Sequence, residues 1–172
     1  MVLLPAVSLL AACATTVPPA IDKAPPDSPE IGTVLADQAA HRNAPVRWGG
    51  TILELENRSE STRVTILALP LETHGEPQTG GTSPGRFLAD VQGFLDPMVY
   101  AKGRQMTVAG TLAGSEAREV GKYSYDYPVV EVTDYYLWPE APKYQDNDYP
   151  YWWYDPWYYP WYPYYYPRRH YR

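Results

Sequence analysis

The chain has 172 residues and carries a net charge of −6, with 20 Asp and Glu against 14 Lys and Arg. That length allows one domain plus its ends. An acidic body excludes the basic face that nucleic-acid phosphates require, so no nucleic-acid partner is expected.

Met1–Cys13 reads MVLLPAVSLLAAC. Its apolar stretch is far shorter than the ~20 residues of a membrane-spanning helix. It ends on Leu10-Ala11-Ala12-Cys13, the pattern of a bacterial lipobox. Small residues fit a signal peptidase, and the Cys13 thiol is the group that would accept diacylglycerol after loss of residues 1–12. Cys13 is the only cysteine, which leaves it no internal disulfide partner. No Lys or Arg precedes the apolar run, so a basic region is expected upstream of Met1. Ala14 follows Cys13, and by analogy with enteric bacteria a residue other than Asp there favours the outer membrane. Residues 13–29 are polar and rich in proline, as suits a lipidated tether.

Residues 30–140 read as the folded body. Glu30–Ala40 places Ile31, Val34 and Leu35 on one helical face, with Asp27 or Ser28 as the N-cap and Pro29 in the first turn. Val46–Glu56 alternates as a strand, with Val46, Trp48 and Ile52 on one face. The phase then slips to Leu53 and Leu55, which we attribute to a bulge beside Gly49-Gly50. Thr62–Leu71 is a second strand and Glu72–Gly85 a loop. Arg86–Val91 is a third strand, and Gly93–Pro97 a turn. Arg104–Leu112 points Met106, Val108, Gly110 and Leu112 inward, with Thr107, Ala109 and Thr111 outward. Tyr127–Trp138 is the last strand. Five strands with one short N-terminal helix and a bulged first strand predict a mainly β fold, a small antiparallel OB-like barrel. A sandwich is the alternative.

Residues 141–172 read as a low-complexity, disordered tail. Tyr144–Tyr171 holds eleven tyrosines and four tryptophans, interrupted by Pro150, Pro156, Pro160, Pro163 and Pro167. That proline spacing excludes helix and disfavours a central strand. Tyr and Trp have an apolar body and a polar tip. Three partners suit them: the membrane headgroup layer with Arg168, Arg169 and Arg172 on lipid phosphates, the sugar rings of peptidoglycan or lipopolysaccharide, and a second copy or another envelope protein. A tail without a fixed role is the fourth reading.

Catalytic and metal signatures are weak throughout. His41, His74 and His170 lack ligand spacing. Asp146-Asn147-Asp148 lacks the glycine and glutamate of a calcium loop. Gly80–Gly85 lacks the lysine of a phosphate loop. No enzyme activity, cofactor or metal is expected.

The body resembles the Slp family of starvation-inducible outer-membrane lipoproteins. The resemblance is carried by Trp48–Ile52, Val64–Leu71, Gly85-Arg86-Phe87-Leu88-Ala89, Gly93-Phe94-Leu95-Asp96-Pro97 with Tyr100, Thr107–Leu112 and Tyr125–Val132, together with Cys13. It implies a lipid-anchored protein on the periplasmic side of the outer membrane, induced by starvation or acid stress, with no established enzymatic activity. Its motif residues read first as scaffold; the alternative is that Arg86, Asp96 and Tyr100 line a ligand groove, with Arg86 pairing to Asp90 or Asp96.

Overall fold

The computed structural model describes residues 17–140. The leader, Cys13 and the tail lie outside the described residues. The elements are α1 (Pro19–Asp22), α2 (Ile31–Ala36), a 3-10 turn (Ala39–His41), β1 (Pro45–Asn57), β2 (Ser61–Leu69), β3 (Arg86–Gln92), β4 (Gln105–Val120) and β5 (Tyr123–Leu137). The strands close into a barrel in the order β1-β2-β3-β5-β4. Every pairing is antiparallel except β3 with β5, which is parallel where the barrel closes. Closure removes the sheet edges, as in OB-type barrels, so the sandwich alternative falls away.

The interior follows the alternation. Val46, Trp48, Ile52, Val64, Ile66, Phe87, Met106, Val108 and Val130 are buried in one cluster, which also takes Ile31 and Val34 from α2. The Trp48 and Phe87 rings meet edge to face at 5.4 Å. The helix expected over Glu30–Ala40 is shorter: Asp37 leaves helical geometry (φ −150°), and its Oδ1 accepts the Ala40 N–H at 3.1 Å, which starts the 3-10 turn.

β1 does slip its phase, but at Leu53 and not at the glycines: Ile52 pairs with Ile66, and Glu54 with Thr65. Gly49 and Gly50 serve a different end. They lie where β1 is paired to β2 and β4 at once. A Cβ on Gly50 would sit 1.9 Å from the Leu67 carbonyl oxygen, so only glycine permits that approach.

Two layers cover the outside of the barrel. On one side, the stretch expected as a lipidated tether is held on the barrel from Val17 onward. Ile21 is fully buried with Ala109 and Trp138, with Val17 and Tyr136 packed alongside. Arg47 Nη1 donates to the carbonyls of Ile21, Asp22 and Thr73 (2.9–3.2 Å). Trp48 Nε1 donates to the Pro29 carbonyl at 2.9 Å. Thr107, expected to face solvent, is fully buried beneath Gly75 of the β2–β3 loop and Trp138. Its Oγ1 donates to the Gly75 carbonyl (2.7 Å) and accepts from Trp138 Nε1 (2.9 Å).

On the other side, β4 and β5 run well past the expected strands. Their pairing continues to Val120↔Tyr123, closed by the two-residue turn Gly121-Lys122 with Gly121 at φ 66°. Tyr127 and Val129 pack with the outward-facing Leu88 of β3, which is fully buried.

Candidate functional site: the cleft beneath the β4–β5 hairpin

OB-type barrels take ligands on the outer face of β2 and β3, flanked by the β1–β2 and β4–β5 loops. Here the β4–β5 hairpin crosses that face and is fastened to it by charge. Arg63 of β2, only 7% exposed, holds Asp90 of β3 through two nitrogens and reaches Glu116 of β4 with a third. Arg118 Nε donates to the other Glu116 oxygen at 2.6 Å, and Arg118 also lies 3.6 Å from Glu56 of β1. Four strands are thereby joined by one ionic chain. Hydrogen bonds from Arg118, then Arg63, hold the Glu116 carboxyl below the usual carboxylate range. The Arg63 guanidinium is pushed well above its ordinary value, chiefly by Asp90.

Between the hairpin tip and the barrel wall lies a cleft of about 580 Å³, lined by Leu53, Thr65, Arg86, Lys102, Arg118 and Tyr127 among others. Arg86 and Lys102 make no ion pair among the described residues. Glu54 and Glu119 also border the cleft, so its charge is mixed. The Arg86 backbone N–H donates to Tyr125 Oη at 3.0 Å, which ties the start of β3 to the hairpin.

The three residues expected to form one groove are not brought together. Arg86 opens β3, whereas Asp96 and Tyr100 come in the loop beyond its other end. Asp96 Oδ1 accepts the Met98 N–H at 2.8 Å, a local turn contact. Tyr100 packs against the core with its ring 6.1 Å from Tyr135. Its hydroxyl pKa is pushed up to about 12, first by burial and then by Tyr135. Asp90 belongs to Arg63, not to Arg86.

The residues that fasten the hairpin were not singled out from the sequence. A signal was present: Glu116 and Arg118 alternate before Gly121-Lys122, and Tyr123, Tyr125 and Tyr127 alternate after it, a hairpin pattern.

A second cleft, about 650 Å³, lies beside Arg47 and the prolines Pro25, Pro26, Pro29, Pro70 and Pro84. Burial lowers the Arg47 pKa against the opposing charge of Asp22. Since its guanidinium already holds three carbonyls, this cleft reads as the seam of the N-terminal layer. Of the histidines, His74 lies 3.0 Å from Glu76 and stacks edge-on against Trp138 at 5.6 Å. Among the described residues no three metal-ligating side chains come together. His170 and Asp146–Asp148 lie outside the described residues.

The fold and its strapped face define a small OB-type barrel with its own hairpin across the usual ligand surface. Residues 10–166 match the model of the outer membrane lipoprotein Slp family, and the chain belongs to that family. Its location is therefore the outer membrane, as the sequence motifs implied. It is 33% identical to the uncharacterized lipoprotein YeaY of Escherichia coli K12 over 131 residues, 76% of this chain and 67% of that one. It is 35% identical to an uncharacterized Haemophilus influenzae protein over 61% of this chain and 56% of that one. It is 30% identical to the outer membrane protein Slp of E. coli K12 over 54% of this chain and 48% of that one. This chain thus spans about two-thirds of the first relative and about half of the other two. Among solved structures, a small single-stranded DNA-binding protein from Streptomyces coelicolor overlaps 56% of this chain and 94% of its own, at 12% identity and a TM-score of 0.37. That overlap is too loose to bear on function.

Proposed function

We propose that this is a non-enzymatic lipoprotein of the bacterial envelope, acylated at Cys13, facing the periplasm and serving under starvation or related stress. In this reading its Tyr/Trp/Pro tail contacts the membrane or another envelope component. The observation that carries the proposal is the clamp on the N-terminal layer. Arg47 and Ile21 hold the chain to the barrel from Val17, four residues after Cys13. Four residues reach at most about 14 Å, so an acyl group on Cys13 would keep the barrel at the bilayer surface. The ionic chain of Arg63, Asp90, Glu116 and Arg118 supports a scaffold role, because it engages the charges that an OB face would offer a ligand. Intact-mass spectrometry of the protein from envelopes should give a chain starting at an acylated Cys13, and Cys13→Ser should release it to the periplasm or stall its processing. A mature N-terminus elsewhere, without lipid, would overturn the anchor. For the tail, the tryptophan emission of lipid-free protein should shift to the blue with anionic vesicles, and the shift should vanish in a chain ending at Glu140.

A binding module is the second reading, favoured by the cleft at Arg86 and Lys102. With both cations free of ion pairs among the described residues, its ligand would offer them an anionic group, and a neutral or cationic part to Glu54 and Glu119. Soluble muropeptides should then raise the melting temperature, and Arg86→Glu should abolish that rise.

A further inference from the structure

The loop between β3 and β4 has an uncommon surface. Among the described residues the exposed large hydrophobic side chains are Phe94 (72%), Met98 (86%), Val99 (47%) and Tyr123 (70%), and three of these four belong to this loop. The loop is pinned, not loose. Leu95 is buried in the barrel core. Its N–H donates to Thr62 Oγ1 (3.0 Å), and its carbonyl accepts from Asn57 Nδ2 (3.1 Å). The Asp96 carbonyl accepts the N–H groups of Val99 and Tyr100 (3.0 and 2.9 Å). Arg104 Nη1 donates to the Val99 carbonyl at 3.2 Å. With its backbone fixed at these points, the loop cannot turn Phe94 and Met98 inward. It presents them to whatever lies outside.

We infer that the Gly93–Lys102 loop is a membrane-contacting wedge, whose Phe94, Met98 and Val99 enter the headgroup layer of the leaflet that carries the protein.

Three observations choose lipid as the occupant. The first is position. Val17, where the described chain begins, packs in the cluster of Trp138. The Trp138 carbonyl accepts from Arg104 Nη2 (2.9 Å), and the same guanidinium holds the Val99 carbonyl. The N-terminal side of the barrel, from which the link to Cys13 leaves, and the root of the loop are thus joined through Trp138 and Arg104. The second is charge. The chain carries −6 overall, but this loop has one acid, Asp96, and one base, Lys102, and so lacks the excess of negative charge that an anionic surface would repel. Lys102 makes no ion pair among the described residues, while Arg104 lies 3.5 Å from Glu140. The third is area. Three side chains fall far short of the ~800 Å² per partner that a stable protein interface buries. A headgroup contact needs only a few apolar groups, because the anchor supplies the rest of the affinity through local concentration. The inference rests on membrane location, which the family establishes, and takes from the Cys13 reading only the side from which the link leaves.

The test uses full-length protein purified from membranes, with Met98→Cys or, as control, the exposed Thr79→Cys in the β2–β3 loop. Intact mass is recorded first and judges acylation of Cys13 by itself. Because Cys13 is the only native cysteine, an acylated chain takes one nitroxide label. The labelled protein is placed in vesicles of phosphatidylethanolamine and phosphatidylglycerol, and accessibility to oxygen is compared with accessibility to a soluble nickel complex. Position 98 should favour oxygen and position 79 nickel. Adding Phe94→Asp should move the label at 98 toward the control, with the melting temperature unchanged because Phe94 is outside the core. A label at 98 as open to nickel as that at 79 would overturn the inference. So would a label shielded from both reagents, which is the mark of a protein contact.

Discussion

On one wall of the barrel, the segment from Val17 to Pro29 lies against β4 and β5 with apolar side chains and backbone carbonyls. On the other, the β4–β5 hairpin lies across β2 and β3 with a mixture of apolar packing and ionic bonds. The first layer buries Ile21 completely against Trp138 and Gly75, which in turn close over Thr107. The second buries Leu88 and Tyr127 but leaves a cleft beside Arg86. Apolar cover depends on area and is indifferent to salt and to mild acid. Charged cover holds a fixed geometry across a gap, but its strength follows pH and ionic strength. One wall therefore behaves as core, and the other as a strap.

The sharpest way to break this comparison is to put a charge under the first layer. Val108→Asp, inside the barrel, and Thr107→Asp, on the strand's outer face, should each cost about 3–5 kcal/mol in urea unfolding, since each leaves a carboxylate without water or a partner. Thr107→Asp would also disrupt the contacts to Gly75 and Trp138. If Thr107→Asp were tolerated while Val108→Asp unfolded the protein, the cover that Gly75, Trp138 and the N-terminal layer build over β4 would be open in solution.

That pair also shows how far the sequence could be read. Alternation assigns Met106, Val108 and Leu112 to the barrel interior, and all three are buried. It cannot distinguish a side chain facing water from one facing a second layer, so Thr107 reads as exposed. The same limit hides the tether's packing: Ile21 is a single apolar residue among prolines, with no period to reveal it. β1 betrays its bulge by the slip to Leu53 and Leu55, yet nearby glycines drew the assignment away from Leu53 itself. The hairpin beyond Leu112 escapes because its stretch, AGSEAREVGKYSYD, is held largely by cross-strand pairs and charges. The strand-rich class, the closed barrel and the family were legible, because buried alternation and local motifs encode them. The cleft was not, because Arg86, Lys102 and Arg118 come from three distant parts of the chain.

A smaller effect sharpens the contrast between the walls. Ile21→Ala should cost about 2–4 kcal/mol, the price of a buried cavity, by the same amount at low and high salt. Arg63→Ala should cost about 1–3 kcal/mol at low salt. Its own guanidinium is nearly buried, but Asp90 and Glu116 are 22% and 39% exposed and can be partly rehydrated. Part of the Arg63→Ala cost should disappear in 0.5 M salt. Equal salt responses in chemical unfolding would remove the distinction between core and strap.

The smallest expected effect is a pH dependence at Glu116. Its carboxyl is depressed in the folded state by Arg118 and then Arg63. A depressed carboxylate stabilises the fold above its unfolded pKa, which is about 4.5, and that contribution is lost as pH falls through the lower folded value. Glu116→Gln should therefore be slightly less stable than the parent at pH 7, with the gap closing as the pH falls below 4.5. Because the side chain is 39% exposed, the gap at pH 7 should stay within about 1 kcal/mol. Ile21→Ala should keep its full deficit over the same range, since no titrating group replaces the lost packing. Melting curves of the three proteins from pH 7 to pH 3 decide the matter. A Glu116→Gln deficit that persists undiminished in acid would show that Glu116 acts through shape, and that the strap does not depend on its charge.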